Sequence, residues 1–279
     1  MFPFPASICL EASTRCNLRC LSCSTGKGRK GMSKGFLKFS DFKKFIDKYY
    51  FIERIFLSNY GEIFLNPEIF EIIKYAENRG IKTNADTNLN DFDEPMAEKL
   101  VKAGMSSLTV SLDGASQESY AKYRRGGNFD RVIFHIEAIN RFKKKYQTDK
   151  PDLTWQFVVF DHNRREIDKA REMAVKLKMS FRTKSNWDQE FSPVQDRPDF
   201  TGNFCHQLWH MPVINYNGNM LGCCTLFEEK YHLGNVFKEG FFQVYNGQKM
   251  RTARKVILKK IKGADNIYCS ECRARRKCR

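Results

Sequence analysis

The chain is 279 residues long, 42% hydrophobic and 29% charged, with a net charge of +16. That balance excludes a disordered chain and gives one full-sized domain with an appendage; with no run of about 18 apolar residues, no membrane-spanning helix is expected. The charge suits an anionic partner such as nucleic acid or phosphate. Much of the excess, however, lies in short runs at 143–145, 259–260 and 273–279, which read as solvated surface.

The first five residues, Met1-Phe2-Pro3-Phe4-Pro5, have neither the basic start nor the apolar stretch of a signal peptide, so a cytoplasmic location is expected. Residues 8–10 form the first strand. Ser40-Asp41 opens a helix with Phe42, Phe45, Ile46 and Tyr49 at helical spacing. Strand two covers 54–58. Pro67 starts a helix carrying Ile69, Ile72, Ile73 and Ala76, and Gly80 ends it. Strand three covers 81–87, a helix 94–103 stops at Gly104, and strand four covers 108–112. A long helix runs over 129–145. Strand five, 154–160, is rich in aromatic and β-branched residues. A helix over 164–177 and a short strand over 180–183 follow.

Strands alternating with helices give βαβ units and a parallel sheet. Six units are too few to close an eight-fold barrel, so the expected fold is α/β, a partial (β/α)₆ TIM-like barrel. Ligands of such sheets bind beyond the carboxyl ends of the strands. Composition shifts near residue 184, which divides the chain into a barrel over 1–184 and a module over 185–279. Residues 185–203 read as a linker. Asn217-Gly218 between two apolar runs predicts a hairpin, followed by a helix over about 241–253 and a cysteine-bearing loop.

Ten cysteines in such a chain argue for metal over disulfides, and they cluster. Cys16, Cys20 and Cys23 stand at C-x₃-C-x₂-C spacing just after strand one. Zinc sites use paired C-x₂-C units more often, and three thiolates leave one corner of a four-iron cluster open to a small molecule or a distant ligand. This loop resembles that of the radical S-adenosylmethionine (SAM) superfamily, in which the open iron binds SAM. Asn59-Tyr60-Gly61-Glu62 partly matches the family's Gly-Gly-Glu-like turn, with Tyr60 in place of the first Gly. The resemblance assigns Gly61 and Glu62 to the SAM amine, by charge-assisted hydrogen bonding. It brings Ser111 or Asp113 to the ribose and Arg124 or Arg125 to the methionine carboxylate, with Thr87 and Asn88 also facing the cofactor. The bland alternative is an ordinary turn, a helix cap at Ser116 and surface arginines.

Cys205, Cys223, Cys269 and Cys272 resemble the second cysteine set of the twitch, or shortened SPASM, subgroup, as in a radical SAM dehydrogenase of aminoglycoside biosynthesis. Four thiolates would close one auxiliary [4Fe–4S] cluster; a Cys₄ zinc knot is the alternative. Two clusters and SAM are therefore the expected cofactors. Cys224 and Cys278 are left over, as alternative ligand, hydrogen donor or bystander, and with the chain ending at Arg279 a further cluster is not expected. Cys9 reads as a small buried hydrophobe. His206 and His210 read as structural or supporting.

The resemblance implies reductive cleavage of SAM to a 5′-deoxyadenosyl radical that takes a hydrogen atom from the substrate. The leading expectation is oxidation of an alcohol carbon in a sugar-like small molecule, the auxiliary cluster accepting the electron. The alternatives are ribosomal-peptide maturation or epimerisation, and RNA modification. With the first ligand at Cys16, no peptide-binding domain of roughly 80 residues fits before it, which disfavours maturation; the lack of a recognisable RNA-binding module disfavours RNA. Expected partners are a small-molecule substrate and a flavodoxin- or ferredoxin-like electron donor, without nucleic acid or membrane. No catalytic residue is assignable at this stage.

Overall fold

A computed structural model describes residues 4–28, 31, 33–186, 191, 205–226 and 228–272. Most of the expected linker, Cys278 and the basic tail lie outside the described residues. Among the described residues the sheet has nine strands: β1 (Ser7–Leu10), β2 (Arg54–Phe56), β3 (Lys82–Thr87), β4 (Ser107–Ser111), β5 (Asp152–Val159), β6 (Ser180–Ser185), β7 (Val213–Ile214), β8 (Asn219–Leu221) and β9 (His232–Asn235). Their order is β6-β5-β4-β3-β2-β1-β7-β8-β9. Strands β1 to β6 are parallel, each paired with the next in sequence. The helices α1 (Phe39–Lys48), α2 (Ile69–Asn78), α3 (Glu94–Ala103), α4 (Gln117–Tyr123), α5 (Phe129–Lys145) and α6 (Ile167–Lys176) lie between them in sequence. This is the expected partial barrel.

The β7–β8 hairpin turns at Gly218, whose φ of +87° suits glycine, and β7 adds in parallel to β1. The late module thus continues the barrel sheet. Its helices are α7 (His206–Trp209), α8 (Phe241–Tyr245) and α9 (Gln248–Ile257). The single helix expected over 241–253 is broken at Asn246-Gly247, where Gly247 precedes α9 with extended backbone. Two elements carry no strong sequence signal: α4 is only seven residues long, and β9 is ordered by pairing with β8.

Several helix ends follow local chemistry. Asp93 caps α3 by accepting from the Met96 N–H, and Gly104 ends it at φ +77°. Ser116 caps α4 and Asn128 caps α5. The apolar faces of the helices and the alternate strand residues Ile55, Ala85, Leu108, Val110, Trp155 and Phe157 make one core. The other face carries an apolar cluster of Cys9, Val213 and Leu221 with Phe56 over β1, β2, β7 and β8, and is polar over β3 to β6. Asn84 and Asp86 alternate with buried Thr83, Ala85 and Thr87 along β3, as a period of two requires. Arg182 on β6 reaches Gln156 on β5 at 3.0 Å and Thr109 on β4 at 3.4 Å across this face. A parallel sheet is ordinarily apolar on both faces; this one is polar inside over β3 to β6.

Candidate active site

The chain leaves β1 into Glu11, which is 1% exposed. Its carboxylate accepts the Tyr60 N–H at 2.9 Å and the Gly61 N–H at 3.1 Å. Burial pushes this carboxyl up to about 8, against the lowering effect of its backbone donors. Glu11 therefore holds the turn after β2 against the loop after β1. Gly61 makes the approach possible, since a Cβ there would stand 2.2 Å from the Ser13 carbonyl oxygen. Glu62 N–H donates to the Arg15 carbonyl at 2.7 Å, and Thr25 Oγ1 donates to the Tyr60 carbonyl at 2.8 Å.

These contacts bring the expected residues together. One cleft is lined by Cys16, Cys20, Cys23, Asn59, Tyr60, Gly61, Glu62, Asn88, Ser111 and Arg124, with Ser58, Asp86 and Thr87. Asn88 Nδ2 donates to Asn17 Oδ1 at 2.9 Å and lies 3.7 Å from Cys16 Sγ. Arg124 Nη1 lies 3.8 Å from Cys20 Sγ. Burial raises the Cys16 thiol to about 12 and raises that of Cys20 as well. An iron ligand must shed that proton, so metal binding and deprotonation are coupled here.

Three residues named from the sequence are engaged differently from expectation. Asp113 is fully buried, accepts the Val158 N–H at 2.7 Å, and holds Arg124 Nε at 2.6 Å. It does not line the cleft; it aims the arginine that does. Glu62 lines the cleft, but its oxygens already accept from Thr87 Oγ1 at 2.6 Å, Asn88 N at 2.7 Å and Phe64 N at 3.2 Å. Arg125 is exposed, and its carbonyl accepts from Arg19 N. Glu11 was not among the expected residues; the only sequence signal is an acid directly after an apolar strand.

Four late cysteines form a second group. Cys205 precedes α7, Cys223 follows β8, and Cys269 and Cys272 lie at the 3₁₀ turn Tyr268–Ser270. Cys269 is pushed up to about 12, chiefly by burial, with repulsion from Cys205, Cys272 and Cys223 adding to it. Cys224 borders this group and packs on its other side with Cys9, Val213 and Leu221. Its thiol donates to Cys223, which lowers Cys223 and raises Cys224. The loop meets the first site through Asn59 Nδ2, which donates to the Cys224 carbonyl at 3.1 Å, and through Tyr60 Oη, which donates to the Leu226 carbonyl. His206 and His210 stack on each other with ring centroids 5.4 Å apart.

The family model for the radical SAM superfamily matches residues 10–174, and the model for an iron–sulfur cluster-binding domain, SPASM, matches residues 205–278. An AdoMet-dependent heme synthase from Methanosarcina barkeri is 31% identical over 175 residues, which cover 62% of this chain and 48% of the relative. Mycofactocin maturase MftC from Mycobacterium tuberculosis is 29% identical over 140 residues, covering 48% of this chain and 34% of the relative. The chain thus spans less than half the length of these curated relatives. In fold it is similar to BtrN, solved in complex with AdoMet and 2-DOIA, with a TM-score of 0.63 at 17% identity, covering 98% of this chain and 94% of that one. It is also similar to Streptococcus suis SuiB bound to precursor peptide SuiA, with a TM-score of 0.71 at 14% identity, covering 88% and 66%.

The two family matches imply [4Fe–4S] clusters and SAM. The residues present fit them. Among the described residues no three His, Cys, Asp or Glu side chains already converge on a single-ion site. A cluster, whose irons stand apart, asks instead for thiolates spread around a cleft, as Cys16, Cys20 and Cys23 are. Beside them the polar donors and acceptors of Asn88, Ser111 and Arg124 suit a zwitterionic cofactor.

Proposed function

The chain belongs to the radical SAM superfamily and carries a SPASM iron–sulfur domain, and from that premise we propose that it oxidises an alcohol carbon of a sugar-like small molecule. In this reading Cys16, Cys20 and Cys23 hold the cluster that binds SAM, and Cys205, Cys223, Cys269 and Cys272 hold a second one that accepts the substrate electron. Arg124 meets the methionine carboxylate, Gly61 and Glu62 lie toward the amine, and Asn88 and Ser111 line the rest of the pocket. An electron donor of the flavodoxin or ferredoxin class supplies the reductant.

When bound, the first cluster and SAM supply a one-electron cleavage whose 5′-deoxyadenosyl radical abstracts hydrogen from an unactivated carbon. The protein's own work is placement. Asp113 fixes Arg124 through a short ion pair with the carboxylate fully buried. Glu11 and Gly61 seat the turn against the cysteine loop. The observation that carries the substrate class is the polar inner face of strands β3 to β6: Asp86 lines the cleft itself, and Asn84, Thr109 and Arg182 line a second cavity on the same face. A hydroxyl-rich substrate is matched by such a wall.

The test is an anaerobic reconstitution with SAM and dithionite, offering carbon-deuterated myo-inositol and glucosamine as probes. Deuterium in 5′-deoxyadenosine together with a ketone product supports the reading. Deuterium arriving only from an offered peptide would replace it with peptide maturation. That second reading is favoured by the similarity to the mycofactocin maturase and by the fold shared with the peptide-bound SuiB.

A further inference from the structure

Alcohol oxidation by hydrogen-atom loss leaves a carbon radical that still bears an O–H. The step to a carbonyl releases one proton and one electron, so a proton acceptor is needed beside the abstraction site. Four carboxylates belong to this region: Glu62 and Asp86 line the cleft, and Glu11 and Asp113 are buried behind its walls. Three of them have both oxygens committed. Glu11 holds the Tyr60 and Gly61 N–H groups, Glu62 holds Thr87, Asn88 and Phe64, and Asp113 holds Val158 and Arg124.

Asp86 differs. It lines the same cleft as the three thiols. Its Oδ1 is buried without a hydrogen-bond partner, although a third of the side chain remains exposed. Arg182 Nη2 is 3.8 Å away, beyond hydrogen-bond reach. The backbone positions the residue firmly, because β3 pairs on both sides and the Asp86 N–H donates to Ser58 Oγ at 2.7 Å. Burial lifts the carboxyl above its ordinary range, outweighing Arg182, Lys184, a hydrogen bond from the Thr109 hydroxyl and Arg124, which all favour the carboxylate. That lift makes it a better proton acceptor than a solvated aspartate.

Resting on the alcohol-oxidation reading, we propose that Asp86 is a catalytic residue whose Oδ1 accepts the hydroxyl proton of the substrate. The substrate's carbon-bound hydrogen leaves as an atom to the adenosyl carbon. The O–H bond then breaks, its proton passes to Asp86 Oδ1, and the remaining electron goes to a one-electron iron–sulfur acceptor as the C=O double bond forms. Ionised Asp86 ends the step as the neutral acid.

The test compares wild type, Asp86→Asn and Asp86→Ala with the two deuterated probes. It measures deuterated 5′-deoxyadenosine, ketone, and calorimetric binding of unlabelled probe to protein without reductant. Asn keeps an acceptor oxygen but cannot take the proton. Asp86→Asn is therefore expected to bind the probe within about threefold of wild type and to form deuterated 5′-deoxyadenosine, while ketone falls about 100-fold or more. A persistent organic radical signal by electron paramagnetic resonance in that variant would accompany the loss. Asp86→Ala is expected to weaken probe binding as well. Unchanged ketone formation by Asp86→Asn overturns the assignment while leaving alcohol oxidation standing. Failure of the wild type to take deuterium from either alcohol removes the assignment together with the reading beneath it. Equal loss of binding, 5′-deoxyadenosine and ketone in Asp86→Asn would mean a structural role, which also overturns it.

Discussion

Asn59, in the turn after β2, donates its side-chain amide to the backbone carbonyl of Cys224, 165 positions later, at 3.1 Å. Together with the Tyr60 hydroxyl on Leu226, this ties the turn over the first cysteine loop to the loop of the second cysteine group. The same turn is held from below by Glu11. The two candidate metal loops therefore share one mechanical support.

Cutting that support should be felt at both ends. Asn59→Ala combined with Tyr60→Phe removes two hydrogen bonds of about 1 kcal/mol each. The expected outcome is a Tm lowered by about 4–8 °C in a chain of this size, with weaker SAM binding by calorimetry on the reconstituted protein. Unchanged Tm and SAM affinity would show that the link carries no load.

Gly61 is required by close approach rather than by a left-handed backbone, since its Cβ would strike backbone oxygens of Ser13 and Arg15 at 2.2 and 2.6 Å. Neither is the end of a flexible side chain. Gly61→Ala should destabilise by about 1–3 kcal/mol, as overpacking does, read from the urea midpoint. A variant as stable as wild type would mean the turn can lift off its loop at no cost.

The parts that sequence made readable are those whose cause is local. Asp93, Gly104, Ser116 and Asn128 act within one helical turn of themselves, and α3 and α5 have the ends their patterns predict. The cysteine spacing was equally plain. Asp86 and Glu11 were not readable, because their roles depend on distant chain. Asp86 matters because β3 alternates faces and because three other carboxylates are satisfied. Glu11 matters because a turn 49 positions away lies over it. The break at Asn246-Gly247 within the expected helix over 241–253 was hidden by apolar spacing that continues across it.

Glu11 gives a pH signature. Its carboxyl is raised from 4.5 to about 8 in the folded protein, with burial as the main cause. Between those values the folded state binds the proton and the unfolded state does not. The neutral acid's contribution is therefore full below about pH 4.5 and is lost as pH rises through about 8. Glu11→Gln cannot ionise. It should lose stability at acidic pH, where one backbone N–H now faces an amide, yet fall less steeply toward pH 8. The check is the difference in Tm between wild type and variant from pH 5 to 8.5. A constant difference would mean that Glu11 does not change charge in this window.

Iron content tests the assignment of both cysteine groups. Two clusters give about eight iron atoms per chain after anaerobic reconstitution. Replacing Cys16, Cys20 and Cys23 by Ala should leave about four and abolish dithionite-driven formation of 5′-deoxyadenosine. Four irons with stoichiometric zinc in wild type would instead make the late group a zinc site.

The last prediction concerns Cys224, the thiol left outside the proposed ligand set. Cys205, Cys223 and Cys272 act electrostatically on Cys269, whereas Cys224 packs with Cys9 and Val213 and meets the group through its hydrogen bond to Cys223. If the four are ligands of an electron-accepting cluster, Cys272→Ala should lower iron toward four per chain and spare SAM cleavage while blocking ketone formation. Cys224→Ala should keep all the iron. A redox-neutral epimerisation behaves in the opposite way, because its substrate radical needs a hydrogen atom returned and a thiol can return it. Cys224→Ala would then stop product with both clusters intact, and solvent deuterium would enter the wild-type product. Since a metal loop can contribute folding free energy outright, each variant needs its far-ultraviolet circular dichroism and Tm beside the assay. Product loss confined to Cys272→Ala, in a folded protein that still cleaves SAM, is the outcome expected for an oxidase; product loss confined to Cys224→Ala would turn the chemistry toward epimerisation.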